Sequence, residues 1–121
     1  MLGNVMNLHA LLNVDFRLED DSHSEQEFII DTGFTGFLTL PMSLIDEMGL
    51  VFRHHTPASL ADGSEIQIPV YDATILWEGS DLEVRVLGTG MRPLLGTALL
   101  KNHSLFVQFA DFGIVEIEQM Q

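Results

Sequence analysis

The nine residues Phe28-Ile29-Ile30-Asp31-Thr32-Gly33-Phe34-Thr35-Gly36 form the most informative stretch of the chain. An apolar run ends in a carboxylate, and Thr and Gly follow at once. This pattern predicts a buried strand that delivers Asp31 into a tight loop, where backbone amides can hold its carboxylate. Gly33 and Gly36 permit the sharp or left-handed turns that such a loop needs. On its own the motif is weak, because Asp, Thr and Gly are also common in ordinary turns.

Two further segments lie downstream of this stretch. In Arg92–Leu100, the apolar pair Leu94-Leu95 meets Gly96, and a short helical turn is predicted after it. Between the two segments, Asp62-Gly63 separates two extended runs, which is the strongest short hairpin signal in the sequence. The tripartite order is therefore a strand ending in Asp, a hairpin, and an apolar-apolar-Gly segment.

The rest of the chain predicts short strands joined by turns, with one or two short helices. Pro41–Met48 is the main helix candidate, with Pro41 near the first helical position and Gly49 as the stop. The predicted strands or strand pairs are His9–Leu18 with Glu27–Ile30, Val70–Trp77 with Leu82–Leu87, and the hairpin Ser104–Glu118 turning at Asp111-Phe112-Gly113. The fold class is therefore all-β.

Length and composition restrict the possible functions. A chain of 121 residues with 46% hydrophobic content suits a single domain, 1–121, with a genuine core. Five basic and eighteen acidic residues give a net charge of −13, which would repel phosphate backbones and anionic headgroups. We therefore expect neither a nucleic-acid partner nor a membrane partner.

The chain contains no cysteine, which excludes disulfides, thiolate zinc sites, iron–sulfur clusters and thiol nucleophiles. This composition fits a reducing cytoplasm. The segment Met1–Leu12 has no Lys or Arg, and polar residues interrupt its apolar run, so we expect neither a signal peptide nor a membrane span.

Other patterns suggest competing chemistry. His54-His55 with Asp62 or His103 would suggest a metal site, but adjacent histidines on a strand point to opposite faces. We favour solvated loop histidines and expect no metal or other cofactor. Asp111-Phe112-Gly113 and Gly88-Thr89-Gly90 superficially match kinase and nucleotide-binding motifs, and their contexts indicate a hairpin turn and a loop. Trp77 is compatible with either the core or a dimer contact.

The ordered set of Asp31-Thr32-Gly33, the Asp62-Gly63 hairpin and Leu94-Leu95-Gly96 resembles the retropepsin-like aspartic peptidases, especially the small bacterial members of that clan. The resemblance covers roughly Leu11 to Leu100. It implies a closed β-barrel or sandwich with a flap hairpin. It also implies an aspartic endopeptidase that hydrolyses peptide bonds in a peptide or protein substrate.

The same resemblance implies roles for individual residues. Asp31 would be the catalytic carboxylate, Thr32 would brace the two active-site loops, and Gly33 would let the substrate backbone approach. The substrate-binding residues would be Phe34 and Thr35 and, in the flap, Leu60, Ala61, Asp62, Gly63 and Ser64; Leu94, Leu95 and Gly96 would pass beneath the catalytic loop. Because the chain holds one such motif, the enzyme should be a homodimer with one Asp31 from each protomer, the pair sharing a proton and activating a water.

The sequence also departs from the viral pattern. Viral members often have a small residue where this chain has Phe34, and an acidic residue paired with an Arg where it has Thr35 and Thr97. Beyond Leu100 the likeness fades, so a different dimer interface is expected. These departures keep an alternative open, namely a retropepsin-like domain that dimerises or binds peptides without catalysis.

Overall fold

Ten strands and two short helices make up the computed structural model, which describes all residues 1–121. The strands are β1 Leu2–Met6, β2 His9–Arg17, β3 His23–Ile30, β4 Leu38–Leu40, β5 Val51–Ser59, β6 Glu65–Trp77, β7 Ser80–Gly88, β8 Leu94–Leu95, β9 His103–Val107 and β10 Ile114–Gln119. The helices are α1 Met42–Met48 and α2 Thr97–Leu100. The expectation of an all-β fold with one or two short helices is confirmed.

The strands form one sheet in the order β5-β6-β7-β4-β8-β3-β2-β1-β10-β9. An additional pairing between β2 and β6, Phe16 with Ile75 and Arg17 with Thr74, brings distant members of this order together. The run from β6 to β2 is thereby closed into a barrel. β5 remains outside the ring on one side, and β1, β10 and β9 extend it on the other.

The core fills this barrel. Alternation along β2 buries Leu12, Val14 and Phe16, and Phe16 stacks on Phe28 of β3 with ring centroids 6.0 Å apart. Each such side chain contributes about 1.5–3 kcal/mol on burial. The predicted alternation extended to Leu18, but the strand ends at Arg17 and Leu18 is only half-buried.

The predicted helix is present as α1, one residue shorter than expected. Pro41 has an extended ψ of 145° and is the N-cap, so its assignment near the first helical position was one residue out. Gly49 ends the helix with a left-handed φ of 68°, and its amide donates to the carbonyls of Ile45 and Asp46. The buried face of α1 consists of Ile45 and Met48.

The predicted hairpins are confirmed, but β6 is longer than predicted and one strand, β1, was not predicted. β6 begins at Glu65 rather than Val70, because its first half pairs with β5 and its second half with β7. β1 was not predicted from the sequence; it lies between β2 and β10, and only Val5 in it is fully buried. Asp111-Phe112-Gly113 lies in the turn between β9 and β10, as predicted.

The prediction of solvated loop histidines was wrong for His103. Its side chain is only 8% exposed, contacts Glu78 and lies edge-on against Trp77, with ring centroids 5.9 Å apart. His54 and His55 are exposed, but they lie on β5 rather than in a loop. Trp77 belongs to the core. No group of three His, Cys, Asp or Glu side chains is placed to hold a metal ion. Neither helix has the length and apolar character that crossing a membrane requires.

Candidate active site

Asp31 directly follows β3 and sits at the start of a tight turn. Its amide donates to the Leu95 carbonyl at 2.9 Å, and its carbonyl accepts from the Phe34 amide at 3.1 Å. These two bonds fix the backbone on both sides of the residue. The side chain is half-buried, which leaves its carboxyl group accessible at the loop surface.

The carboxylate of Asp31 is oriented by the residue two positions later. Oδ1 accepts a hydrogen bond from the Gly33 amide at 2.9 Å. A Cβ at position 33 would lie 3.2 Å from the same oxygen, so any other residue there would make a tight contact with the Asp31 carboxylate. Thr32 and Gly33 are both exposed at the apex of the turn.

The segment Leu94–Gly96 packs against the loop that joins β3 to β4, residues 31–37, which we call the Asp31 loop. β8 lies parallel to the end of β3 and antiparallel to β4, so it separates the strand that enters the loop from the strand that leaves it. Beyond β8, the amide of Gly96 donates to the Phe37 carbonyl at 2.9 Å, and the amide of Thr97 donates to the Phe34 carbonyl at 2.8 Å. The two segments therefore form one hydrogen-bonded unit.

Gly96 is the tightest point of this unit. A Cβ there would lie 2.2 Å from the Gly36 carbonyl oxygen and 2.7 Å from the Phe34 carbonyl oxygen. Both obstacles are backbone atoms, so neither can swing aside as a side chain can. The loop geometry requires glycine at this position.

Thr39 is a supporting residue that the sequence analysis missed. It is the one buried polar residue of the chain, and its hydroxyl accepts the Leu94 amide at 3.1 Å. A β4 strand with Thr between two leucines, Leu38-Thr39-Leu40, was the available signal. A threonine in an otherwise apolar buried strand must find a hydrogen-bond partner.

The predicted flap tip, Leu60–Ser64, is a tight turn that joins β5 and β6. The Leu60 amide donates to the Ser64 carbonyl at 2.8 Å, and Gly63 has a φ of 85°. Asp62 accepts both the hydroxyl and the amide of Ser64, and these hydrogen bonds lower the pKa of the Asp62 carboxyl. Asp62 thus stabilises its own turn, and no hydrogen bond joins the tip to the Asp31 loop.

The Asp31 loop is not part of an enclosed cavity in the single chain. The larger of two cavities, about 410 Å³, lies beside the start of β5 at Val51 and Arg53 and beside residues 72–74 of β6. The smaller one lies between β1, β2 and the β6–β7 turn. Ligand sites are usually the largest concave pocket. Asp31 does not line either of these two cavities.

Comparisons with known proteins identify the fold. No protein-family model matches the sequence, and no curated protein sequence matches it. A retropepsin-like aspartic protease from Rickettsia conorii superposes with a TM-score of 0.59 and 14% identity, covering 95% of this chain and 87% of that one.

Two viral proteases also match. EIAV protease in an inhibitor complex gives a TM-score of 0.55 at 17% identity, covering 80% of this chain and 91% of its own. Simian foamy virus (mac) protease gives 0.51 at 18% identity, covering 74% and 92%. The chain therefore has the retropepsin-like fold, and the fold expected from the sequence is confirmed.

Proposed function

We propose that this protein is an aspartic endopeptidase that acts as a homodimer, with Asp31 of each protomer forming the catalytic pair. The observation that carries the proposal is the Asp31 turn. A carboxylate held by the Gly33 amide lies at the accessible surface of a loop that Gly96 locks in place, within a retropepsin-like fold. The sequence contains only one Asp-Thr-Gly motif, so each chain would supply half of the site.

A dimer with twofold symmetry would place the two Asp31 side chains face to face. Two carboxylates held close together cannot both ionise without strong repulsion, so they share one proton. Thr32, exposed next to Asp31, would brace one loop against the other. The pairing would turn two shallow half-sites into one enclosed site.

The paired carboxylates would then perform acid–base catalysis on a peptide bond. The ionised member acts as the general base and takes a proton from a water molecule, which attacks the scissile carbonyl carbon. The protonated member donates its hydrogen bond to the carbonyl oxygen as negative charge develops there. Proton transfer to the leaving nitrogen completes cleavage, and no metal or other cofactor takes part.

The substrate would lie between the Asp31 loops and the β5–β6 hairpin. Gly33 has no side chain, which allows a peptide backbone to approach the carboxylates closely. Phe34 and Thr35 would line the adjoining pocket, and backbone groups of Leu60–Ser64 would bind the peptide from the opposite side. Closure of this hairpin would exclude water from the reacting groups.

The test is hydrolysis of a diverse peptide library by the wild-type chain and by Asp31→Asn, with mass spectrometry of the products. We expect the variant to lose cleavage by at least three orders of magnitude while remaining a folded dimer in analytical ultracentrifugation. Asp46→Asn is the matched control, because Asp46 is an exposed carboxylate on α1, outside the proposed site. Retained cleavage by the Asp31 variant would refute the proposal.

A different result would favour the non-catalytic alternative. If the wild-type chain dimerises and binds a statine-type transition-state mimic weakly or not at all, and cleaves no library member, the fold would serve dimerisation or peptide binding. Tight binding of one inhibitor per dimer would instead support the catalytic pair. A cytoplasmic location remains a prediction from composition.

A further inference from the structure

The flap hairpin is attached to the barrel at a short region that we call the flap root: Phe52 and Arg53 on β5 with Tyr71 and Asp72 on β6. β5 is an edge strand whose only ladder is with β6, so nothing else in the sheet fixes its direction. The hairpin extends from the root to the Leu60–Ser64 tip. At about 3.3 Å per residue, the tip lies roughly 20 Å from the root.

Arg53 interrupts the regular ladder at the root. Phe52 pairs with Tyr71 and His54 pairs with Val70, so Arg53 is an extra residue on β5, a β-bulge. A bulge bends its strand and redirects a side chain. The bend at Arg53 therefore helps to set the angle at which the hairpin leaves the barrel.

The Arg53 side chain forms an ion pair with the carboxylate of Asp72, which also pairs with Arg85. Arg53 Nη1 lies 3.3 Å from Oδ2 of Asp72, and Arg85 Nη1 on β7 lies 2.9 Å from Oδ1 of the same residue. Oδ1 is buried and has no hydrogen bond of good geometry, which leaves Arg85 as its ionic partner. One carboxylate thus links the bulge on β5 to a barrel strand two positions away.

The opposite face of the root is held by aromatic contacts. Phe52 lies edge-on to Tyr71 with ring centroids 5.8 Å apart, and the Tyr71 hydroxyl contacts Met42 Sδ of α1 at 3.9 Å. Because Tyr71 and Asp72 are consecutive on a strand, they point to opposite faces. The root is therefore held from both sides.

The cavity of about 410 Å³ next to the root offers no clear ligand chemistry. It is lined by Arg17, Arg53 and Arg85 and by four carboxylates, so its charges nearly cancel. The ion pairs are better explained by their position between strands than by a bound anion.

We infer that Arg53 and Asp72 are positioning residues of the flap: the Arg53–Asp72–Arg85 bridge holds the hairpin at its working angle over the Asp31 loop. This inference rests on the proposed function for its catalytic meaning. A rotation of 10° at the root would displace a tip roughly 20 Å away by about 3.5 Å. Displacement on that scale would remove the backbone contacts that a peptide needs.

The test compares Asp72→Asn with Asp81→Asn by amide hydrogen exchange. Asp81→Asn is the control, because it also removes one negative charge from an ion-paired aspartate. The partner of Asp81 is Arg17 on β2, so this ion pair does not involve β5. We expect Asp72→Asn to speed exchange of the paired amides between residues 54 and 68 by about two- to fivefold, as for a partly exposed ion pair. Barrel amides should not change, and Asp72→Glu should restore slow exchange.

Equal acceleration throughout the barrel, or no difference from Asp81→Asn, would overturn the inference. The exchange measurement requires no turnover, so it holds even if the chain proves inactive. If a cleaved peptide is found, Asp72→Asn should raise KM by about two- to fivefold with kcat retained, because the chemistry at Asp31 is untouched. An unchanged KM with a lowered kcat would also contradict a positioning role.

Discussion

Gly96 lies so close to Gly36 that a Cβ on Gly96 would stand 2.2 Å from the Gly36 carbonyl oxygen. This approach joins the Asp31 loop to the segment after β8. The Ala98 amide donates to the same Gly36 carbonyl at 3.2 Å, so the contact is hydrogen-bonded as well as close. The orientation of Asp31 therefore depends on a residue 65 positions away in sequence.

Gly96→Ala should destabilise the protein strongly. The added methyl would force two backbone carbonyls apart, and overpacking of this kind typically costs about 1–3 kcal/mol. Chemical denaturation would measure the loss. Gly36→Ala is the comparison, because its Cβ would meet only the Phe34 ring end, at 2.6 Å, and a side chain can rotate away. Equal stability of the two variants would contradict this account of the loop.

Thr39→Val should reveal how much the buried hydroxyl supports the same loop. The substitution keeps the shape of the side chain but leaves the Leu94 amide without its acceptor. An unsatisfied buried donor costs about 1–3 kcal/mol. Thr39→Ser, which keeps the hydroxyl, should lose less stability in the same denaturation experiment. A wild-type stability for Thr39→Val would show that the Leu94 amide finds another partner.

Local patterns allowed the local structure around the candidate site residues to be predicted from the sequence. The Asp31 turn and the Asp62-Gly63 hairpin depend on residues that are adjacent in the chain, and turn chemistry is a short-range signal. β1 was missed because only Val5 is fully buried, so its sequence has no clear alternation. The closure of β2 on β6 and the Arg53 bulge arise from pairing between distant strands, which single-sequence periodicity does not encode.

The prediction that His103 is a solvated loop histidine was wrong for a similar reason, because its contacts come from residues distant in sequence. Nothing near His103 in sequence indicates burial, because Glu78 and Trp77 reach it from the β6–β7 turn. Both ring nitrogens face acceptors, Nε2 towards Glu78 and Nδ1 towards the Lys101 carbonyl at 2.7 Å. A neutral imidazole can donate from only one nitrogen, so this environment favours the imidazolium.

His103 should make stability depend on pH. Burial by itself lowers its pKa, but the hydrogen bonds to Glu78 and Lys101 and the charge of Glu78 outweigh burial and the opposing Met1 ammonium, so the pKa of His103 is raised. The stabilisation is then complete below the ordinary histidine value of 6.5 and is lost as pH rises through the raised pKa.

The corresponding measurement is the free energy of unfolding of wild type and His103→Ala between pH 5 and 9. The deficit of the variant should be about 1–3 kcal/mol at the acidic end and should shrink towards the alkaline end. His9→Ala, at an exposed histidine, is the control. A deficit that does not change with pH would mean that His103 contributes by packing on Trp77 alone.

Ser64→Ala should change the titration of Asp62 and leave that of Asp20 unaltered. The two turns, Asp20-Asp21-Ser22 and Asp62-Gly63-Ser64, share one arrangement, in which the aspartate accepts the amide and hydroxyl of the serine two positions later. In each, the hydroxyl is the largest cause of a pKa lowered from 3.8, followed by the serine amide. Removing the Ser64 hydroxyl should therefore raise the pKa of Asp62.

The reciprocal variant makes this prediction specific. Carboxyl-carbon NMR titrations of wild type, Ser64→Ala and Ser22→Ala should show each substitution moving only its own aspartate. Because the pKa of Asp62 is depressed, its support for the turn is present above pH 3.8 and is lost as pH falls through the lower, folded-state value. The Leu60–Ser64 turn should therefore loosen at a higher pH in Ser64→Ala than in wild type. If the pKa of Asp62 is the same in Ser64→Ala as in wild type, another group holds this turn in solution.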